Sequence, residues 1–177
     1  MIHGERPPRT YRTGTATRAL RLATLVAAAA ITVFLLVRYP SLPETIPTHF
    51  GLTGEADAWG PRSTILLPMA LFTGLAVVMA WLSGRPQVFN YPIVITDANA
   101  QSVYREGERL MVWVAAGLAL LYAGTAVASL GGGGGGVLIA AGLLWVVGAL
   151  IVGLIRTASA SRRPSETADE QPAHPED

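Results

Sequence analysis

The chain has 177 residues, of which 51% are apolar and 14% are charged, and its mean hydropathy is +0.41. A formal net charge of +1, with no basic stripe of interleaved aromatic residues, argues against a nucleic-acid partner. Cysteine is absent, which excludes disulfides, thiolate catalysis and thiolate metal sites. This composition is typical of an integral membrane protein whose helices pack in lipid.

Four long apolar stretches follow one another along the chain, at roughly residues 22–37, 63–82, 110–130 and 137–155. We predict a transmembrane helix for each, because about 20 apolar residues at 1.5 Å per residue cross ~30 Å of hydrocarbon. Arginines flank the short first stretch and can extend it by snorkelling. Pro68 is predicted to bend the second helix. The predicted fold class is an all-α integral membrane protein with four transmembrane helices.

The arginines predict the orientation of these helices. All thirteen basic residues are arginine, and only Arg38 and Arg62 flank the connection between the first and second stretches. The other eleven lie in the two tails and in the connection between stretches two and three. The positive-inside rule therefore predicts that both termini lie in the cytoplasm and that residues 38–62 lie outside. The membrane is predicted to be the plasma membrane.

The same pattern divides the chain into five predicted units. They are a disordered basic cytoplasmic tail (1–19), a first unit of helix, external loop and helix (20–85), a cytoplasmic loop (86–109), a helical hairpin (110–156) and a second disordered cytoplasmic tail (157–177). Glycines 131–136 are predicted to form the flexible turn of the helical hairpin. Small residues four apart, such as Gly124/Ala128 and Ala149/Gly153, favour close packing of helices.

The external loop carries the most information. Its prolines stiffen the first half into an extended path. Its apolar residues, Leu42, Ile46, Phe50 and Trp59, are predicted to fold down onto the helix ends. We therefore interpret it as a structured loop and not as a simple connector.

The motif in this loop resembles the signature of the domain-of-unknown-function family DUF1648, which comprises bacterial multi-span proteins. The residues that carry the resemblance are Leu42-Pro43, Ile46-Pro47, His49-Phe50, Gly54-Glu55, Asp57 and Trp59-Gly60. It covers roughly residues 20–85, and a following stretch with Asn90-Tyr91-Pro92, Asn99 and Tyr104 is similar to one often found in the same proteins. Arg62 replaces the lysine usual in the family. The resemblance implies kinship with SdpI-type immunity and signalling proteins, and it implies a tentative binding surface made of Pro43, Pro47, His49, Phe50, Gly54, Glu55, Asp57, Trp59 and Gly60.

Within that loop, His49, Glu55 and Asp57 are the candidates for site chemistry. Together they could bind a divalent cation or transfer a proton. The spacing matches no established zinc motif, so we expect neither a metal nor another cofactor. The structural alternatives are that Asp57 caps a turn, that His49 bonds a carbonyl or a carboxylate, or that the two acids pair with Arg62.

In the cytoplasmic loop, Val88–Ile95 predicts a short extended piece, and Thr96 or Asp97 could cap a helix that continues into the third span. Asn90, Pro92, Asn99 and Tyr104 are the residues of interest here. Asn99 is either structural or, with the others, part of a docking face for a cytoplasmic partner.

The expected function is non-enzymatic binding, immunity-like or sensory, through the external loop. Expected partners are membrane lipids and a peptide, a toxin or another membrane protein. The alternative is an accessory subunit of a membrane transporter or exporter, although the predicted spans hold no ionisable residue of the kind that ion-coupled carriers use. A membrane enzyme would need His49 to converge with Glu55 or Asp57 at a pocket.

Overall fold

The computed structural model describes residues 6–51 and 55–162 of the chain. Over these residues it contains four helices: α1 (Thr15–Arg38), α2 (Leu66–Ser83), α3 (Ala100–Ser129) and α4 (Gly135–Ala160). A 3-10 turn extends α1 by Tyr39–Ser41, and another precedes α2 at Arg62–Ile65. All four are long and apolar enough to cross a membrane. The prediction of a multi-pass membrane protein with four spans is supported.

The loop between α1 and α2 is a β-hairpin, so the all-α prediction is wrong for this segment. Strands β1 (Thr45–Phe50) and β2 (Ala56–Pro61) pair antiparallel. The prolines and glycines of this loop hide the alternation of apolar and polar residues that normally indicates a strand. A proline is tolerated here because each strand of a two-stranded sheet is an edge strand.

One apolar cluster joins the hairpin to the helices. It brings Leu35 near the end of α1 together with Ile65 before α2 and Tyr122 in α3, under Ile46 of β1. The helices therefore run up and down, and the hairpin lies at the same end of the bundle as the turn between α3 and α4. We call this the hairpin end, and we call the opposite end, which holds the first and last described residues, the terminal end.

A partly buried chain of hydroxyl groups ties three helices together at mid-bundle. Thr32 of α1 lies 2.7 Å from the Thr73 hydroxyl of α2 and 3.0 Å from the Tyr122 hydroxyl of α3. Phe72 stacks on the Tyr122 ring with centroids 5.4 Å apart. Polar side chains within apolar spans stabilise helix association in this way, at about 0.6–2 kcal/mol each.

Glycines allow α3 and α4 to pack closely. A Cβ added at Gly124 would lie 2.7 Å from the backbone nitrogen of Ile139, and one at Gly142 would lie 2.9 Å from that of Leu121. Gly131 and Gly134 adopt positive φ values of 72° and 92° in the connecting turn. Helices α3 and α4 therefore form a helical hairpin that extends beyond the predicted bounds 110–156 at both ends, with glycines at its contact.

Other features of the terminal end differ from the predictions. Residues 6–14, which we call the N-terminal segment, lie extended against α3, and helix α1 starts at Thr15, whereas a disordered tail was predicted for 1–19. Val88 ends the 3-10 turn Pro86–Val88, and the residues from there to Ile95 form no strand. Helix α4 continues to Ala160, and the rest of the second predicted tail, residues 163–177, lies outside the described residues.

The effect of Pro68 depends on its place in α2. This proline lies in the first turn of α2, directly after the 3-10 turn. The first four N–H groups of a helix have no acceptor within it, so a proline at this place removes no helical hydrogen bond. Pro68 therefore lies where it is tolerated at the start of the α-helix, and a bend at this residue stays a prediction.

Candidate functional site

The hairpin is held in a fixed shape by its own irregularities. Pro47 pairs with Trp59 and His49 with Ala58, so Thr48 is an extra residue in β1; Asp57 is likewise extra in β2. The Gly51 N–H donates to the Glu55 carbonyl at 2.9 Å and closes the strands before the tip. Bulges of this kind re-aim side chains, and these two bring His49 and Asp57 together.

Arg62 fixes the hairpin to the end of α1. Its guanidinium donates to the carbonyls of Pro40 and Leu42, at 3.4 and 3.3 Å, and lies 5.6 Å from the centre of the Tyr39 ring. Its backbone N–H donates to the Glu44 carbonyl at 2.9 Å. The planar group with its five donors suits this multiple role. Arg62 is therefore a structural clamp, and its pairing with the loop carboxylates, considered from the sequence, is not what the structure shows.

His49 and Asp57 form an exposed pair on the hairpin. Nδ1 of His49 lies 2.5 Å from Oδ1 of Asp57, and the two side chains are 70% and 52% exposed. Glu55 is also exposed. Of the alternatives, the bond between His49 and a carboxylate is the one observed. In the part of the chain that the structure describes, no three His, Asp or Glu side chains come together as ligands for a metal ion.

A groove of about 300 Å³ separates the hairpin from the glycine turn. Phe50, Trp59, Pro47 and Ala56 line one wall, and Ala128 with glycines 131–136 lines the other. Trp59 is 63% exposed. The prediction that the apolar loop residues fold down onto the helices is therefore confirmed for Leu42 and Ile46, which are buried, and wrong for Trp59.

The remaining loop candidates have different surroundings. Pro43 is exposed just before β1, and Gly60 lies opposite Ile46 in the register. A side chain at Gly60 would contact Thr48, with the added Cβ 3.0 Å from its methyl group. Gly54 lies outside the described residues.

The family profile of a domain of unknown function, DUF1648, matches residues 25–73. The match extends from the middle of α1 through the hairpin to the first half of α2, and so it contains the hairpin wall of the groove but not the glycine wall. This chain contains a DUF1648 domain. It also resembles an uncharacterized protein of Archaeoglobus fulgidus, with 44% identity over 56 residues, which is 32% of this chain and 31% of the relative. The chain thus spans about a third of that relative's length. No solved structure matches this one.

The DUF1648 domain includes two of the three hydroxyl groups of the mid-bundle chain, those of Thr32 and Thr73. It also includes Arg62 and the His49–Asp57 pair. The third hydroxyl group of the mid-bundle chain, that of Tyr122, lies in α3, outside the DUF1648 match. The domain therefore completes its core with the helical hairpin that follows it.

The four candidates beyond the DUF1648 domain separate into two exposed and two buried residues. Asn90 and Pro92 are exposed. Asn99 is buried just before α3, where its side chain accepts from the Thr96 N–H at 2.9 Å and donates to the Val94 carbonyl at 3.0 Å. Asn99 therefore has the structural role considered for it. It is also Asn99, and not Thr96 or Asp97, that occupies the N-cap position of α3.

Tyr104 lies beneath the N-terminal segment and is fully buried. Its hydroxyl donates to the Pro7 carbonyl at 3.2 Å, and its ring lies 5.9 Å from that of Tyr91. A cytoplasmic partner could touch Asn90 and Pro92 directly, but it could reach Tyr104 only if the N-terminal segment moved away. A docking role for this face stays a prediction.

Sequence reasoning missed Glu108, the centre of the terminal end. Its carboxylate is 2% exposed and pairs with Arg9 at 3.2 Å and with Arg21. Tyr11 and Thr13 each donate a hydroxyl to it at 2.7 Å. Burial, followed by the bond to Glu108, raises the pKa of Tyr11 well above its usual value of 10.0, so Tyr11 stays a neutral donor at physiological pH.

Glu108 thereby fastens the N-terminal segment to α3. Gln101 adds two more contacts, accepting from the Thr10 N–H and donating to the Pro8 carbonyl, both at 2.8 Å. The available signal was a pair of carboxylates, Glu106 and Glu108, beside the third apolar stretch, together with an arginine-rich tail. Nothing local in the sequence indicates that Glu108 and the tail meet, because they are about 90 residues apart.

Proposed function

We propose that this protein is a non-enzymatic membrane binding protein that recognises a peptide or a partner protein with its β-hairpin. The single observation that carries the proposal is the groove between the hairpin and the glycine turn, with Trp59 largely exposed at its edge. Exposed tryptophans on rigid supports are frequent anchors of interfaces. The clamp of Arg62 and the buried Ile46 supply that rigid support.

The arginine distribution supports an external position for the hairpin. Arg38 and Arg62 belong to the hairpin end. The other arginines lie in the N-terminal segment, at the start of α1, in the loop between α2 and α3, in the first part of α3, and near or beyond the C-terminal end of α4. Under the positive-inside rule we expect the terminal end in the cytoplasm and the hairpin on the outer face of a plasma membrane. A ligand that arrives from outside would then meet Trp59 and the groove first.

An immunity or sensory role follows as the finer form of this proposal. It is supported by the resemblance of the loop motif to SdpI-type proteins and by the DUF1648 match over the same residues. In such a role the hairpin would hold a secreted, membrane-active peptide before that peptide enters the bilayer. The exposed His49–Asp57 pair would supply polar contacts beside the aromatic groove.

A second candidate, an accessory subunit of a transporter or exporter, is favoured by one feature of α4. This helix packs mainly on α3, and much of its apolar surface is exposed, including Leu144, Val147, Ile151 and Ile155. Lipid can cover this face, and so can a helix of another membrane protein. Co-purification of a second membrane chain in mild detergent, lost on substitution of Leu144 and Ile151 by tryptophan, would distinguish this candidate.

Photocrosslinking in intact cells tests the binding proposal. Trp59 is replaced by p-benzoylphenylalanine, and the matched control carries the same replacement at Trp81, which is 57% exposed but belongs to the terminal end. We expect a discrete adduct at position 59 that is absent at position 81. For the identified ligand, Trp59→Ala should weaken binding roughly 30-fold, the factor that corresponds to a loss of about 2 kcal/mol at an aromatic anchor.

Two results would contradict the proposal. One is the absence of any adduct at position 59 in protein that inserts and accumulates normally. The other is an adduct whose ligand binds equally well to the Trp59→Ala and His49→Ala/Asp57→Ala variants. Because Trp59, His49 and Asp57 are all exposed, we expect these variants to keep the normal protein level.

A further inference from the structure

A second cleft, of about 370 Å³, opens between α3 and α4 at the terminal end. It is distinct from the hairpin groove and lies outside the DUF1648 match. The side chains and backbone that define it are Glu106, Arg109 and Trp113 of α3 with Trp145, Gly148 and Arg156 of α4. Its volume falls within the range of pockets that hold small molecules.

One end of this cleft is charged, and the charges do not balance. Glu106 accepts from Arg109 at 2.6 Å and lies 3.0 Å from Nε of Arg156. The carboxylate is mostly buried, so it orients both guanidinium groups at the mouth of the cleft. Two cations face one anion, and each guanidinium has five N–H donors. This end of the cleft is therefore electropositive and rich in hydrogen-bond donors.

The other end of the cleft is aromatic and apolar. Trp113 and Trp145 stack with ring centroids 5.1 Å apart, and Nε1 of Trp145 donates to the Trp113 carbonyl at 3.0 Å. From Glu106 to Trp113 the distance along α3 is roughly 10 Å at 1.5 Å per residue. Val152, which is largely exposed, continues the apolar wall on α4.

The glycines of α4 show that this space is open. A Cβ at Gly153 would lie 2.5 Å from a methyl group of Leu110, so this glycine packs against α3. A Cβ at Gly148, in contrast, would meet nothing within 4 Å. Gly148 therefore borders the empty part of the cleft. A larger side chain at this position would fill that space without disturbing the packing of α4 on α3.

We infer that this cleft binds one anionic phospholipid from the surrounding bilayer. Its phosphate pairs with Arg109 and Arg156, and one acyl chain lies along Trp113, Trp145 and Val152. The walls belong to helices that are long and apolar enough to cross a membrane, so lipid is the molecule that reaches the open side. Basic pockets between transmembrane helices bind anionic headgroups by the same charge complementarity.

Quenching of tryptophan fluorescence by brominated lipids tests this inference. The protein carries Trp59→Phe and Trp81→Phe, so that only Trp113 and Trp145 of its four tryptophans emit, and it is reconstituted in phosphatidylcholine vesicles. We expect brominated phosphatidylglycerol to quench at about fivefold lower mole fraction than brominated phosphatidylcholine, as one net positive charge near the lipid surface predicts. Arg109→Gln/Arg156→Gln should remove this preference.

Matched variants separate the cleft from general effects. Arg12→Gln/Arg162→Gln removes two exposed arginines elsewhere at the terminal end and should leave the preference intact. Gly148→Leu fills the cleft and should reduce quenching by both lipids. Gly74→Leu is the control for it, since Gly74 is an exposed helical glycine of α2 that also has open space around it.

Three outcomes would overturn the inference. An unchanged preference in Arg109→Gln/Arg156→Gln would show that these arginines do not select the headgroup. Unchanged quenching in Gly148→Leu would show that lipid does not enter the cleft. Reversal of the quenching by millimolar inorganic phosphate would show that the site takes a free anion and needs no acyl chain.

Discussion

At the residue scale, a few polar side chains decide how the ends of this bundle are built. Glu108 collects two arginines and two hydroxyl groups in a nearly dry site. A buried carboxylate is costly unless it is paired and fully hydrogen-bonded. The N-terminal segment supplies three of these four partners and thereby becomes part of the folded structure.

Glu108→Ala should release the N-terminal segment. The hydrogen bonds to this charged group are worth about 2 kcal/mol to the bound segment, so we expect tryptic cleavage after Arg9 or Arg12 to become roughly 30-fold faster. Limited proteolysis in detergent, followed by mass spectrometry, measures this rate. Glu106→Gln is the matched control, because Glu106 pairs with Arg109 and Arg156 and not with the segment. Equal cleavage rates for the wild type and Glu108→Ala would refute this role.

At the element scale, the contact between α3 and α4 depends on glycine for close approach, whereas the contacts of α1 and α2 with α3 use larger side chains. Gly124 faces the backbone of α4, and Tyr122, two residues earlier, faces Thr32 and Phe72. One side of α3 therefore presents glycine to α4, and another side presents the Tyr122 hydroxyl to the DUF1648 domain. This division explains why the domain and the helical hairpin form one bundle.

Gly124→Ala should destabilise the protein by about 1–3 kcal/mol, the usual cost of overpacking, because the nearest atoms to the added methyl group include the backbone of α4, which cannot rotate away. Gly148→Ala in the facing helix meets open space and should be neutral or stabilising by up to ~1 kcal/mol. Unfolding by denaturant in detergent micelles gives both free energies. Equal stability of the two variants would contradict a tight α3–α4 contact.

At the scale of the whole molecule, the sequence predicted what depends on local composition. The four spans follow from stretches of about 20 apolar residues, and their lengths are the property that the hydrocarbon core requires. The loop motif likewise located the hairpin site, and the burial of Leu42 and Ile46 was predicted correctly. The strands themselves were missed, since Pro47 and Gly60 within them weaken any strand signal.

The remaining features depend on contacts between distant parts of the chain. The hydroxyl contact of Thr32 with Tyr122 joins residues 90 positions apart, and the pairing of Arg9 with Glu108 joins residues 99 positions apart. A threonine or a tyrosine inside an apolar stretch does not by itself indicate its partner. The exposure of Trp59 is of the same kind, because it depends on where the glycine turn lies relative to the hairpin.

The most direct test of the account is the side of the membrane on which the hairpin lies. The chain has no cysteine, so Ala58→Cys in β2 and Val94→Cys in the loop before α3 each introduce a single thiol at an exposed position. Intact cells are treated with a membrane-impermeant maleimide, with and without permeabilisation. The account predicts that Cys at position 58 is labelled in intact cells and that Cys at position 94 is labelled only after permeabilisation. Labelling of position 94 but not of position 58 in intact cells would contradict an external binding hairpin.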